Sequence, residues 1–197
     1  QERIRRLEVF YPRVTLDEKL VLKFLINREF TQTNRWTKAC VLRQIGLEKI
    51  SEFTLDLIAQ MFNPDPLVRE MAAWSLYQID PAEYQTNLSR LGPDVKRQMD
   101  TIIIPGHPHA QLSVFDKVQF LRGLEIFKGI SGLSLSFLAD AATALTMSPN
   151  ESMGIDEKTN TQFYIVFKGQ VEYFQRTEAK GVFVEGQFIG EMLNAPG

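Results

Sequence analysis

Hydrophobic residues recur at two different spacings along this chain, and the change of spacing separates a helical first half from a mixed second half. From Thr15 to Asn27 they return every three or four residues, the spacing of one helical face. Thr15 is followed three residues later by Glu18, as in a capping box where each side chain satisfies a backbone amide. The predicted apolar face consists of Leu16, Leu20, Val21, Phe24 and Leu25.

A turn rich in proline separates the next two predicted helices. The first spans Ser51 to Phe62, and the second begins after Asn63-Pro64-Asp65-Pro66. Asp65 suits the N-cap and Pro66 the first helical position, because the first amides of a helix have no partner within it. The second helix is predicted to end at Asp80-Pro81. The predicted inward-facing residues are Leu55, Ile58, Ala59 and Phe62 on the first helix, and Leu67, Met71 and Trp74 on the second.

An internal repeat lies within this helical half. RWTKACVLRQIG, from Arg35 to Gly46, aligns with REMAAWSLYQID, from Arg69 to Asp80, at an offset of 34 residues. The small residues Ala39, Ala72 and Ala73 are expected to let neighbouring helices approach closely. The identical pairs are Arg35/Arg69, Ala39/Ala73, Leu42/Leu76, Gln44/Gln78 and Ile45/Ile79.

The stretch NPDPLVREMAAWSL resembles the HEAT-repeat signature, with its Asp-Pro turn followed by valine, arginine and paired alanines. The resemblance covers about residues 15 to 80, with a looser helical pair from Ala82 to Ile104. It implies stacked helix pairs that bind a protein partner or a membrane domain on the same chain. An unrelated helical bundle is the alternative interpretation.

A cluster of proline, glycine and histidine, PGHPH at residues 105–109, predicts a boundary between two domains. The expected organisation is a helical domain over 1–104, a linker over 105–112 and a second domain over 113–197. The second domain is predicted to open with a helix from Val114 to Leu121 that ends at Gly123. A second helix is predicted from Leu133 to Leu145.

Beyond these helices the apolar spacing changes to the period of two that is typical of strands. Phe163–Phe167 and Val171–Phe174 are predicted to form a hairpin around Gly169, which supplies the positive φ of a tight turn. A third strand is predicted from Val182 to Val184, and Gly186 is the predicted turn after it.

Charge and candidate chemistry narrow the function classes. With 22 basic against 24 acidic residues, the net charge of −2 creates no field that attracts nucleic acid, so no nucleic-acid partner is expected.

The single cysteine, Cys40, excludes an internal disulfide and is read as a buried structural thiol. Trp36 and Trp74 are expected in the core. His107 and His109 are too few ligands for a metal site. No nucleophile–base pair or phosphate loop is visible, and the chain is not expected to be an enzyme.

Neither a signal peptide nor an apolar run of membrane-spanning length is present. The first residue, Gln1, and the final Gly197 are interpreted as the ends of a piece of a longer chain. Near the start lies a basic cluster made of Arg3, Arg5, Arg6 and Arg13. A solvated face and a juxtamembrane segment beside anionic lipid are both open for this cluster. The expected location is cytoplasmic, including the case of the soluble part of a membrane-associated protein.

The second half carries several elements in a recognisable order: a helix, the turn LRGLEIFKGISG, another helix, the strands FYIVFKGQVEYF and then GQFIGEM. From about Ser113 to the end, this order resembles the cyclic-nucleotide-binding domain. The resemblance implies a β-roll, or jelly roll, with flanking helices. The expected fold class is therefore α+β: HEAT-like helical repeats followed by a roll that is incomplete in this chain.

The resemblance also implies a ligand site at the end of the chain. Gly190 would let the backbone approach the ligand, and Glu191 would accept a hydrogen bond from the ribose 2′-hydroxyl. The amides of Met192 and Leu193 would face the cyclic phosphate. Phe188 and Ile189 are expected to pack inside the roll. The chain ends before the arginine that the family pattern places after these residues.

The predicted function is a regulatory module that binds cyclic AMP or cyclic GMP and is coupled to a helical-repeat interaction domain. The alternative is a protein-interaction scaffold whose roll is degenerate and free of ligand. No resident cofactor and no metal are expected.

Overall fold

The computed structural model describes residues 17–27, 32–107, 109–154, 163–175 and 178–189. Over these residues the chain forms α-helices followed by small antiparallel sheets. This order of elements confirms the predicted α+β class. The α-helices are α1 Glu18–Ile26, α2 Arg35–Leu47, α3 Thr54–Met61, α4 Pro66–Ile79, α5 Pro81–Leu88, α6 Pro93–Ile103, α7 Val114–Gly123 and α8 Gly132–Ala141. Short 3-10 helices span Ser51–Phe53 and Glu125–Phe127, and the strands are β1 Tyr164–Ile165, β2 Gln170–Gln175, β3 Glu178–Val184 and β4 Phe188–Ile189.

The first helix starts later than the apolar pattern predicts. Its N-cap is Asp17, whose side chain accepts a hydrogen bond from the amide of Lys19 at 2.9 Å. Glu18 is therefore the first helical residue, and its predicted role as the third residue of a capping box was wrong; Thr15 lies outside the described residues. The predicted apolar face was also wrong in part, because Leu20 and Phe24 are exposed.

The segment 51–61 shows why short apolar windows give an ambiguous face. It forms a 3-10 turn and then α3, and its buried side chains are Phe53, Leu57, Gln60 and Met61. The predicted inward face was wrong, since Leu55 is 79% exposed. Apolar residues occupy both sides of this helix, so the side that faces its neighbours is decided by packing and not by spacing.

The predicted start of α4 is confirmed. Asp65 is its N-cap and accepts from the amides of Leu67 and Val68 at 3.0 and 3.4 Å, and Pro66 is its first residue. Leu67 and Met71 are buried. The aligned segments of the internal repeat form α2 and α4, which pack directly against each other. The backbones come close at Gly46, where an added Cβ would lie 2.8 Å from the Cα of Ser75.

The described chain divides into two compact units. The first comprises the residues up to Gln119 together with Ile130–Ala142, and the second comprises Phe120–Gly129 together with the residues from Thr143 onward. This division differs from the predicted one, in which 105–112 was a linker and α8 belonged to the second domain. Helix α8 belongs to the first unit, where it packs against α2 and its Asp140 pairs with Arg35.

Helix α8 also ends earlier than predicted. It stops at Ala141, and the following residue, Ala142, has extended backbone angles. The ammonium group of Lys117 donates to the carbonyl of Ala142 at 2.6 Å, which satisfies an acceptor at the helix end. Leu145, the predicted last residue, is 60% exposed, so no burial favours continuing the helix to that point.

In the second unit, the predicted hairpin between Phe163–Phe167 and Val171–Phe174 was wrong. Strand β1 pairs with β4, and β2 pairs with β3, both antiparallel. Gly169 does have a positive φ of 89°, but it forms a bend that takes the chain from one sheet to the other. The described strands form two two-stranded sheets and close no barrel.

None of the helices in the described part of the chain has the length and hydropathy needed to cross a membrane.

Candidate functional site

The predicted ligand residues lie outside the described residues; they are Gly190, Glu191, Met192 and Leu193. The structure does describe the strand that leads to them. That strand is β4, whose register with β1 is Tyr164↔Ile189 and Ile165↔Phe188. Two further backbone bonds extend the pair beyond the strands: Val166 donates to Gln187 at 3.0 Å, and Gly186 donates to Val166 at 2.8 Å. The backbone leading to residue 190 is therefore held by a neighbouring strand.

The turn before β4 depends on a glycine. Gly186 has a φ of +83°, a region that side-chain-bearing residues rarely adopt, and a Cβ there would lie 3.2 Å from Cδ2 of Leu124. The side chain of Gln187 accepts a hydrogen bond from the amide of Val184 at 2.9 Å and closes the turn. Gly186 thus acts as a turn residue between β3 and β4.

Aromatic pairs connect the 3-10 turn to β4 and the end of α7 to the segment after β1. The ring of Phe127 lies 6.1 Å from that of Phe188, measured between centroids, and Phe127 is 8% exposed. The ring of Phe120 lies 4.8 Å from that of Phe167 in an edge-to-face arrangement. All four rings belong to the second unit. A displacement of β4 would therefore also displace side chains of the 3-10 turn, because Phe127 and Phe188 are in contact.

The first unit contains an ion-pair cluster centred on Arg35. Its guanidinium binds Asp65 through Nε and Nη2, both at 2.8 Å, and also binds Asp140. The side chain of Arg35 is 10% exposed, and its guanidinium lies over the ring of Phe137 at 5.3 Å. Burial lowers the pKa of Arg35, but hydrogen bonds and charge from the two carboxylates outweigh that effect and raise it. The cluster fastens α8 to the α2 helix and the N-terminus of α4.

A stack of aromatic rings and one guanidinium fills the space beside this cluster. Trp36 stacks on Phe115 with ring centroids 5.1 Å apart. The Cζ of Arg43 lies 4.8 Å from the ring centroid of Phe115 and 4.6 Å from that of Trp74. A Cβ on Gly132 would come within 2.2 Å of Nε1 of Trp36. Trp36 and Trp74 are half-buried in this stack. Their rings already contact protein groups, so the stack is a packing element and not an open platform.

Glu70 is a buried ionisable group that the sequence pattern did not single out. It is 1% exposed in α4 and accepts hydrogen bonds from the amide of Val114 and the side chain of Gln98. Burial raises its pKa to about 7. A signal for it was present in the sequence, since Glu70 lies three residues after Leu67 and four before Trp74 on the predicted inward face.

In the described ranges, no group of three or more histidine, cysteine, aspartate and glutamate side chains is arranged to hold a metal ion. His107 and His109 contact each other, and the amide of His109 donates to Nδ1 of His107 at 3.1 Å. Cys40 is half-buried in α2.

Comparison with known proteins adds no relative: no family model matches the chain, and no curated protein and no solved structure matches it significantly.

Proposed function

We propose that the chain is a regulatory module in which the second unit binds a cyclic nucleotide, cyclic AMP or cyclic GMP, at Gly190–Leu193. In this proposal the helical first unit is a stack of HEAT-like repeats that engages a protein partner or an attached membrane domain. Glu191 accepts a hydrogen bond from the ribose, and the backbone around Gly190 approaches the phosphate.

The pairing of β4 with β1 is the observation that carries the proposal. The pairing fixes the backbone position of Ile189, the residue before Gly190, because Ile189 is paired with Tyr164. Such a support favours ligand binding, since a binding group that is held in place beforehand loses less conformational entropy when the ligand binds. The contact between Phe127 and Phe188 gives the same strand a neighbour that could respond to ligand.

Support for the helical part comes from the packing of the two repeat segments. Helices α2 and α4 lie against each other, and Ala39, Ala72 and Ala73 are fully buried. Small residues at these positions allow the close approach that stacked repeats require.

The direct test is calorimetric titration of the complete chain with cyclic AMP and cyclic GMP. Glu191→Gln should weaken binding about tenfold or more, because a charged acceptor is replaced by a neutral one. Glu185→Gln, at an exposed turn position on the same segment, is the matched control and should bind as the unmodified chain does.

A nucleotide lacking the ribose 2′-hydroxyl sharpens this test. It should bind the unmodified chain more weakly than the parent nucleotide, and the difference should disappear in Glu191→Gln. Absence of heat with both nucleotides at millimolar concentration contradicts the proposal.

The alternative proposal is a protein-interaction scaffold with a ligand-free second unit. It is supported by large apolar side chains that the helical unit leaves exposed: Leu20 at 62%, Leu47 at 56% and Leu55 at 79%. The same titration separates the two proposals, because a scaffold shows no nucleotide heat and no effect of Glu191→Gln.

A further inference from the structure

The carboxylate of Glu70, on α4, connects this helix to α6 and to the start of α7. Glu70 is 1% exposed. Its Oε2 accepts a hydrogen bond from the amide of Val114 at 2.8 Å, and its Oε1 accepts one from Nε2 of Gln98 at 3.3 Å. Val114 is the first residue of α7, and Gln98 lies in α6.

The bond to Val114 is made at the end of a helix where charge matters. The first amides of α7 have no partner inside the helix, and the helix dipole places positive potential there. Ser113 satisfies the amide of Asp116 at 3.0 Å, and Glu70 satisfies that of Val114. An ionised Glu70 therefore contributes both a strong acceptor and a favourable charge, whereas a protonated one contributes only a neutral acceptor.

The groups around Glu70 shift its pKa in opposite directions. Burial, and to a lesser extent Asp140, favour the protonated acid, whereas the Val114 amide, Lys117 and Arg69 favour the carboxylate. Burial is the largest effect and raises the pKa of Glu70 to about 7. Both protonation states are consequently accessible near neutral pH.

We propose that Glu70 anchors the start of α7 in a proton-dependent way: the ionised carboxylate holds the Val114 amide, and protonation weakens that hold. The proposal concerns the first unit alone and does not depend on nucleotide binding. For fluctuations that break the Val114 bond while Glu70 stays buried, the first turn of α7 is less protected in mild acid than in mild base.

The test is nuclear magnetic resonance of the complete chain between pH 5.5 and 8.5. The side-chain carboxyl carbon of Glu70 and the amide of Val114 should titrate with the same midpoint, near 7. Exchange of the Val114 amide through local fluctuations that leave Glu70 buried, corrected for the intrinsic effect of pH, should be about tenfold slower at pH 8 than at pH 6, because a charge-assisted bond replaces a neutral one. Openings that expose Glu70 to water have the opposite pH dependence, because they release the buried charge.

Variants separate this anchor from other titrating groups. Glu70→Gln should abolish the titration of the Val114 amide, and the double variant His107→Gln/His109→Gln should retain it. Lys117→Met removes a charge that favours the carboxylate and should move the shared midpoint upward. That variant also tests the anchor if Glu70→Gln does not fold.

Three results would overturn the proposal. These are a Val114 amide whose shift is constant across the range, a midpoint that differs from that of the Glu70 carboxyl, and a Val114 titration that persists in Glu70→Gln.

Discussion

Arg35 shows how one side chain can decide where a distant helix packs. It contacts Asp65, which is 30 residues away, and Asp140, which is 105 residues away. Asp65 has a second role in the same place, because it also caps α4. The aligned repeat residue, Arg69, donates instead to the carbonyls of Asn63 and Pro64 at 2.9 and 3.2 Å. Both repeat arginines therefore stabilise the turn before α4.

Replacing Arg35 should destabilise the first unit strongly. In Arg35→Met two partly buried carboxylates lose their cation, and breaking such a pair costs about 3 kcal/mol. Urea denaturation measures the loss. Lys19→Met breaks the exposed pair with Glu52 and is the control, because exposed pairs contribute little. Equal effects of the two variants would contradict the assigned role of Arg35.

Glu70 should make the free energy of unfolding depend on pH. An unfolded glutamate ionises near its ordinary value of 4.5, whereas folded Glu70 has a pKa raised to about 7 by burial. Its contribution is therefore fully present below 4.5, falls as the pH rises, and is lost above about 7. The total change is about 3 kcal/mol, at 1.36 kcal/mol per pKa unit.

Urea denaturation at pH 5 and pH 8 measures this dependence. The unfolding free energy of the unmodified chain, relative to Glu70→Gln, should be lower at pH 8 than at pH 5. Glu185→Gln changes an exposed carboxylate outside the helices and is the control. A difference between the chain and Glu70→Gln that does not change with pH would contradict the prediction.

At the scale of elements, the contact between α2 and α4 explains a glycine inside a helix. Gly46 lies near the C-terminal end of α2, where alanine is intrinsically favoured by about 1 kcal/mol. A Cβ at Gly46 would meet Oγ of Ser75 at 2.7 Å and its Cα at 2.8 Å. The hydroxyl of Ser75 donates to the carbonyl of Leu42 at 2.7 Å, so the two helices are also joined by a hydrogen bond.

Gly46→Ala should therefore destabilise the chain by about 2 kcal/mol, the cost of forcing an extra methyl group between packed backbones. Gly123→Ala is the matched control. Gly123 is also helical, and a Cβ there meets nothing within 4 Å. Thermal denaturation should show a lower Tm for the first variant and an equal or higher Tm for the second. A Tm increase in both would mean that the helices separate easily.

The strands show which part of an element the sequence can specify. Alternation and β-rich composition marked the segments around Tyr164, Val171 and Val182 as strands, and glycine marked the bends at Gly169 and Gly186. The partners were not predictable in this way, because alternation shows which side chains share a face and not which strand lies alongside. The two-residue strand β4 was too short to give a periodic signal.

At the scale of the molecule, residues 143–154 follow α8 without forming regular structure. This segment belongs to the second unit, has no helix or strand, and is exposed along its whole length. Its described internal bonds form a turn in which Ser148 and Glu151 bond each other. Few buried contacts hold such a segment, so it opens more easily than the helices.

Limited digestion with a glutamate-specific protease should consequently cut after Glu151 before it cuts at any glutamate within α1 to α8. Mass spectrometry of the early fragments identifies the site. Glu151→Gln should remove that first cut. Early cleavage at Glu70 or Glu83 would show that the helices open as readily as the segment.

The sequence by itself determined the local features, because these depend on neighbouring residues. The α+β class, the Asp65–Pro66 start of α4, the helix break at Gly123, the positive φ at Gly169 and the turn at Gly186 followed from spacing, capping chemistry and backbone freedom. The residues predicted to bind nucleotide came from a family resemblance and stay a prediction, since they lie outside the described residues.

Tertiary structure decided every feature that joins residues distant in the chain. Which side of α3 is buried, which strand pairs with β1, and where α8 packs all depend on neighbours that a local pattern does not specify. Glu70 is the clearest case. In the sequence, Glu70 only interrupts an apolar face. In the fold, the amide of Val114, 44 residues later, donates to it, which makes Glu70 a buried acceptor at a helix terminus. Burial then changes its ionisation, because the energy of a charge depends on what surrounds it in space.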